Sequence, residues 1–406
     1  MIKFHNIHGN IYIKGDKMNH KEWSDEKKWN PFNSGKLLTQ VYRWKQIKPN
    51  NKIPQPALVT VDPINVCDLK CSFCNAHKIL STNSAMISEA NLLEIANLLP
   101  IWKGSPNWEA GVEAVCIAGG GEPLLHPSIG KFIDRLVEKG VEVGVVTNGT
   151  QIDRYLEPLS KCTWIGVSVD AGCAETYTKI KGKDTFQKVI DNIKLLSDYS
   201  KKHDNELNKN TQGNGISFKY LLNKDNVQDV YNAVKIAKNI GCKNFHMRPA
   251  GIPWNEINNK ETKHLYELEF SDIESFGFQL DKARKLEDEN FGVFGVTHKF
   301  NDKLRIENRF KTCYAIFMTA VFMPSDNGDK DAVNIGLCCD RRGDDNMTLI
   351  KNSKNVTDIV SAWGSKTHWK IHDNIRIESC PRCTYQPHNQ IFQHVIKKDN
   401  MTYKFI

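Results

Sequence analysis

At 406 residues, with 40% apolar and 25% charged side chains, the chain has the composition of a globular protein with one large core and room for a smaller domain. No run of about 18 apolar residues occurs, which argues against a membrane span. The net charge of +8 comes from scattered Lys interleaved with Asp, Glu and Asn, so a nucleic-acid partner is not expected. The N-terminus, Met1-Ile-Lys-Phe-His-Asn-Ile-His8, lacks the apolar stretch of an export signal, which points to a reducing cytoplasm where clustered thiols among the twelve cysteines serve as metal ligands.

Residues 1–56 read as a polar N-terminal extension that ends in Pro54-Gln-Pro56, with one amphipathic helix over Lys36–Lys45 whose stripe is Leu37, Leu38, Val41 and Trp44. The apolar run Ala57–Val61 then predicts a short buried strand. It leads into Cys67-Asp-Leu-Lys-Cys71-Ser-Phe73-Cys74, three thiols spaced x3 and x2. Thiolates in a local run of this kind hold four-iron clusters, and three ligands leave one iron open to a substrate. A single zinc would need a fourth ligand, and only His77 stands near.

This motif, with Phe73 before its last Cys, resembles the signature of the radical S-adenosylmethionine (radical SAM) enzymes. The resemblance implies a [4Fe-4S] cluster on Cys67, Cys71 and Cys74 whose open iron binds SAM. It further implies reductive cleavage to a 5′-deoxyadenosyl radical that takes a hydrogen atom from the substrate, with electrons from a flavodoxin or ferredoxin-type donor.

Onward, apolar runs at Ala114–Ala118, Val141–Thr147, Trp164–Val169, Ile216–Leu222 and Asn244–Met247 alternate with helical patterns at Ser88–Leu99, Pro127–Lys139, Gln151–Ser160, Thr185–Tyr199 and Asn226–Ile240. Gly140 and Gly241 stand where helices stop. The alternation predicts an α/β fold with a parallel sheet. Six such units fit the partial (β/α)6 TIM-type barrel of the family, over residues 57–252, with its chemistry at the C-terminal ends of the strands.

Each motif singled out sits at such an end. Gly119-Gly120-Gly121-Glu122-Pro123 lets backbone approach a ligand, and the resemblance assigns Gly120, Gly121 and Glu122 to the SAM amino group. Thr147-Asn148-Gly149 follows the third strand, a polar turn with which the family commonly lines its cavity. Ser168 and Asp170 alternate onto one face and are expected at the SAM ribose. Lys181 stands where the family frequently carries an Arg for the SAM carboxylate; Lys keeps the charge and loses the bidentate fork. Arg248 at the sixth strand end is the one residue put forward as catalytic, and His246 beside it reads as buried structure. Cys116, Cys162, Cys173 and Cys242 lie singly and read as packing.

A polar helical connector over 253–304, with its best helix at Phe270–Leu286, precedes a second cysteine set: Cys313, Cys338-Cys339 and Cys380-Pro-Arg-Cys383. Phe317–Met323 and Val333–Leu337 read as a hairpin across Ser325-Asp-Asn-Gly328, and Val356–Trp363 and Lys366–His372 as helices. The set resembles a twitch domain, the shortened SPASM-type α+β extension, here over 305–390 with a tail at 391–406. That implies an auxiliary [4Fe-4S] cluster on Cys313, Cys338, Cys380 and Cys383, with Cys339 the alternate and a structural zinc ribbon the competing reading. Full thiolate ligation suits such a cluster to electron transfer and to oxidation of a substrate radical. A small metabolite, such as a sugar or aminocyclitol, is the expected substrate; a ribosomally made peptide is the alternative, and a zinc-binding interaction protein the reading from another class.

Overall fold

The computed structural model describes residues 12–13, 16–17, 34–82, 84–209, 214–261, 268–295, 310–380 and 383–397. The centre is a parallel sheet of β1 (Leu58–Val61), β2 (Ala114–Ile117), β3 (Glu142–Thr147), β4 (Trp164–Ser168), β5 (Gly215–Leu222) and β6 (Asn244–Pro249), paired in chain order. Crossover helices Glu89–Leu98, Ile129–Glu138, Phe186–His203 and Val230–Asn239 alternate with the strands. The fold is α/β, a partial (β/α)6 TIM-type barrel, extended here by a seventh parallel strand, β7 (Gly292–Gly295), beside β6. Gly-Val-Phe-Gly is short and glycine-flanked, so no strand-length apolar run marks it in the sequence.

Alternation divides the strands between two faces. Val59, Val61, Val145, Val167, Phe218 and Phe245 are buried in the main hydrophobic core. The intervening positions include Thr60, Cys116 and Gly144, which lie side by side in the register. At Gly144 a Cβ would stand 2.3 Å from the Trp164 ring, so glycine is what makes room for that indole. Lys219 Nζ lies 5.2 Å from the centre of the same ring.

The other edge of the barrel is not left open. β8 (Val321–Pro324) pairs in parallel with β1, and β9 (Val333–Gly336) and β10 (Thr348–Ser353) continue antiparallel, so ten strands form one sheet. Exposed ladder groups on β1 are thereby satisfied: Thr60 N–H donates to Ala320 O at 2.9 Å and Asp62 N–H to Phe322 O at 2.8 Å. The hairpin is the one expected from sequence, with Phe317 in a preceding turn rather than in the strand. Cys338 of the second set thus follows a strand of the same sheet from which the first cysteine loop leaves.

Several local expectations need correction. Residues 34–40 wind as a 3₁₀ helix and only Val41–Trp44 is α-helical, so the expected stripe breaks: Trp44 is buried and Leu38 is 45% exposed. Over Gln151–Ser160 the chain forms a short 3₁₀ turn, Ile152–Arg154, and then a separate helix, Leu156–Ser160. Pro158 lacks the N–H that a continuous helix would need there. The helix Phe270–Arg284 is present as expected, while the connector residues 262–267 and 296–304 and the tail residues 398–406 lie outside the described residues. Among the described residues no helix is long and apolar enough to cross a membrane.

Candidate functional site

The first cysteine loop leaves β1 and is docked on the C-terminal end of the helix Ala174–Lys181. Lys70 N–H donates to Lys181 O at 3.0 Å and Ser72 N–H to Ile180 O at 2.9 Å. The helix end is held from inside by an ion pair between Lys181 and Asp170, both almost fully buried. Asp170 sits at φ +61°, a left-handed conformation that Asp tolerates better than most residues. Its second carboxylate oxygen accepts from Leu221 N–H at 2.6 Å. Burial by itself would lower the Lys181 pKa; Asp170 and Cys71 beside it hold the group above the usual lysine range. The expected cofactor contacts Asp170 and Lys181 are therefore partners of each other, and Lys181 Nζ also lies 5.5 Å from the Phe73 ring centre.

On the other side of the loop stands the glycine turn. Gly121 N–H donates to Ile64 O at 3.0 Å and Glu122 N–H to Val66 O at 2.8 Å. A Cβ on Gly121 would lie 2.2 Å from Val66 O, and one on Gly120 2.9 Å from Asn65 Oδ1. The glycines let the turn lie directly against the chain that enters the cysteine loop. Glu122 is buried and accepts three hydrogen bonds, from Thr147 Oγ1 at 2.6 Å, Asn148 N–H at 2.6 Å and Leu124 N–H at 3.1 Å. Burial nevertheless pushes its pKa up to about 7. Asn148 Nδ2 donates to Asp68 Oδ1 at 2.7 Å and lies 3.9 Å from Cys67 Sγ; Thr150 Oγ1 donates to Asp68 Oδ2 at 2.7 Å. Ser168 is half-buried at the end of β4, opposite Lys219, and Arg248 is half-buried on β6, opposite Leu221. His246 is buried, with Nδ1 2.7 Å from Lys219 Nζ.

Burial pushes all three thiols up, Cys67 to about 12. Such groups stay protonated until a cation is present, and metal binding releases the protons. Lys181 opposes that rise at Cys71 and Cys74, and Arg342 opposes it at Cys74. These cysteines fit a thiolate-held iron–sulfur cluster: three sulfurs on one loop, cations nearby that favour the thiolate form, and a polar frame behind.

Cys313, Cys338, Cys380 and Cys383 line a second cavity together with Asp340 and Arg341. Burial raises all four thiols, Cys313 to about 11. Donors converge on them. The fully buried Asn389 has Nδ2 at 3.8 Å from Cys313 Sγ and 4.0 Å from Cys383 Sγ, and its Oδ1 is fixed by the backbone N–H groups of Tyr314 and Ala315 at 2.8 and 2.9 Å. Arg341 reaches Cys380 Sγ at 3.9 Å. Cys339 is outside this cavity and is engaged with Tyr385 and Arg342. Among the described residues no three of His, Cys, Asp and Glu are spaced to hold one metal ion.

Arg342 links the two centres. Its guanidinium pairs with both carboxylate oxygens of Asp62, at the end of β1, and with Cys339 O. Sequence reasoning missed Asp62, Arg342, Asp68 and Asn389. Asp62 had a usable signal, a polar residue directly after a strand; Asn389 had none, since it stands six positions after Cys383 but 76 after Cys313, and only the fold brings Cys313 to it. The single cysteines are packing at Cys162 and Cys242, both buried. Cys173 contacts Thr176 and Asp229, and burial pushes the Cys116 thiol up to about 12, with Cys339 adding to the rise and Arg342 opposing it.

Residues 61–211 match the profile of the radical SAM superfamily. Among curated proteins, the chain is 26% identical over 211 residues to a probable GTP 3′,8-cyclase of Saccharolobus islandicus (strain M.14.25 / Kamchatka #1), covering 50% of this chain and 61% of that protein. It is 28% identical over 158 residues to the antilisterial bacteriocin subtilosin biosynthesis protein AlbA of Bacillus subtilis (strain 168), covering 37% of this chain and 32% of AlbA. The chain thus spans less than two thirds of the length of the curated relatives it matches. Among solved structures, Streptococcus suis SuiB bound to precursor peptide SuiA superposes with TM-score 0.56 at 16% identity, over 84% of this chain and 71% of SuiB. Native anSMEcpe with bound AdoMet gives 0.52 at 18%, over 78% and 83%.

Proposed function

We propose, from the premise that this chain belongs to the radical SAM superfamily through the domain at residues 61–211, that it is an enzyme that cleaves S-adenosylmethionine reductively and removes a hydrogen atom from its substrate. The observation that carries this is the cysteine loop clamped at the barrel mouth between Lys181–Asp170 on one side and Glu122–Thr147–Asn148 on the other. Cys67, Cys71 and Cys74 would hold the cluster; Gly120, Gly121, Glu122, Ser168, Asp170 and Lys181 surround the place where SAM would bind. When bound, cluster and SAM supply a carbon-centred radical.

The chain's own groups do the rest. Glu122, with its three donors, keeps the Thr147–Asn148 turn against the cysteine loop. Asn148 and Thr150 orient Asp68 inside that loop. Arg248, half-buried on β6, is the residue we assign to the substrate. Cys313, Cys338, Cys380 and Cys383 would hold an auxiliary four-iron cluster, with Asn389 and Arg341 directing hydrogen bonds at three of its sulfurs. A cluster held there would supply a one-electron acceptor for the oxidation of a substrate that also gives up a proton.

For the substrate, the small-metabolite reading draws support from the cyclase relatives, which act on GTP but match only half of this chain. The peptide reading is supported by neighbours that carry peptides, SuiB with SuiA and anSMEcpe with Kp18Cys peptide, whose folds superpose on 78–84% of this chain. We favour the peptide on that coverage. A cytoplasmic location suits the oxygen sensitivity of both clusters.

Anaerobic reconstitution tests the core of this reading. About eight iron atoms per chain and release of 5′-deoxyadenosine with dithionite and SAM are expected. Cys71→Ala abolishes that release. Two zinc atoms per chain without SAM cleavage would instead support the interaction-module reading. Deuterium transfer into 5′-deoxyadenosine from labelled peptide, against labelled sugar or nucleotide, separates the substrate classes.

A further inference from the structure

A groove of ≈ 1200 Å³ runs between residues 45–52, the helix Lys366–Asn374 and the chain at 392–397. Lys45, Lys48, Lys52, Lys366, Lys370 and Lys397 line it, against one carboxylate, Asp373. All six lysines are exposed, and among the described residues none of them is in an ion pair. Elsewhere some exposed lysines are paired, as Lys131 is with Glu89, Lys194 with Asp198 and Lys354 with Asp329, and others are not, so what marks the groove is six lysines gathered against a single carboxylate. Asp373 is itself engaged by His372 Nδ1 at 2.8 Å.

The groove is also aromatic where it meets the body of the protein. Tyr314 lines it, stacked on Phe392 with centroids 3.8 Å apart and 4.9 Å from His372. Tyr314 directly follows Cys313, which lines the four-thiol cavity. Six lysines without an ion pair among the described residues thus line a groove that also takes in Tyr314, the neighbour of Cys313 in the chain.

We propose that this groove docks an acidic one-electron carrier protein, of the flavodoxin or ferredoxin kind, which exchanges electrons with the group held by Cys313, Cys338, Cys380 and Cys383. The exchange makes and breaks no bond: one electron leaves the reduced thiolate-held group and the oxidised carrier is reduced by one electron. Opposed charge speeds such an encounter and orients it without making the complex long-lived. Because the lysines are exposed, the attraction is screened over about 10 Å at 0.1 M salt. The route of the electron rests on the auxiliary-cluster reading above; the docking face does not.

The test is calorimetric titration of the reconstituted enzyme with an oxidised, negatively charged flavodoxin at 50 and 300 mM NaCl, using the parent, Lys366→Glu/Lys370→Glu and Lys48→Glu/Lys52→Glu. Expected is binding that weakens with salt and falls at least tenfold in each variant, with iron content, circular dichroism and dithionite-driven SAM cleavage unchanged. Lys139→Glu, outside the groove, is expected to bind as the parent does. Equal affinity in parent and groove variants overturns the proposal. So does an oligothymidylate that binds the groove more tightly than flavodoxin and displaces it. An iron content of about four per chain with lysine-dependent flavodoxin binding would overturn the auxiliary-cluster route while upholding the docking face.

Discussion

Replacing Lys181 by Met asks whether the buried ion pair holds the cysteine loop in place. Lys181 and Asp170 are 2% and 1% exposed, so solvent screens their attraction very little. Removing the cation leaves Asp170 charged inside the protein, a change that costs about 3–5 kcal/mol in comparable sites. For a chain of this size that corresponds to a drop of about 4–6 °C in unfolding temperature. The cysteine loop should suffer with it, since Lys70 and Ser72 hang on the carbonyls of Lys181 and Ile180. The rescue is Asp170→Asn with Lys181→Met. Asn accepts φ +61° and still offers an oxygen to Leu221 N–H, while no charge remains buried. Anaerobic thermal unfolding and iron per chain after gel filtration should show a large loss in the single variant and most of it restored in the double. A single variant within 1 kcal/mol of the parent, or a double variant no better than the single, would refute the reasoning.

Three further outcomes are expected. Cys380→Ala should lower iron from about eight to about four atoms per chain, keep part of the SAM cleavage and block product formation; a normal rate of product would rule out the auxiliary oxidant. Glu122 has a folded pKa of about 7 against an ordinary 4.5, so the stability it contributes is fully present below about pH 4.5 and is lost as pH rises through about 7. The gap amounts to about 3 kcal/mol, and subtracting the Glu122→Gln urea-unfolding profile from the parent profile between pH 5 and 8 should reveal a falling slope. Gly121→Ala puts a Cβ 2.2 Å from Val66 O and should destroy the cluster loop, whereas Gly140→Ala, at φ +74° with nothing within 4 Å, should cost only about 1 kcal/mol. Iron content and solubility of the two variants distinguish strain at a contact from strain in a torsion.

The barrel was readable because each strand is an apolar run and each crossover carries a 3.6-residue period, both local properties of the chain. β7 escaped because four residues flanked by glycine have neither. The second cysteine set was readable as a set, and Cys338 was preferred to Cys339 there on the family spacing alone. The two stand where the chain turns after β9, and the placement of that turn puts Cys338 rather than Cys339 in the cavity with Cys313, Cys380 and Cys383.

The roles of polar residues divide the same way. The spacing of Cys67, Cys71 and Cys74 follows from sequence alone, since one short loop must deliver three sulfurs to one site. Asp170 and Lys181 were legible as polar groups at a strand end and a helix end. That they neutralise one another could not be read, because the pairing depends on how the helix Ala174–Lys181 packs over the barrel mouth. The Asp62–Arg342 pair joins residues 280 positions apart and exists because β8 closes on β1. Local chemistry was written along the chain; the neighbours that tune its charge were set when distant strands met in one sheet.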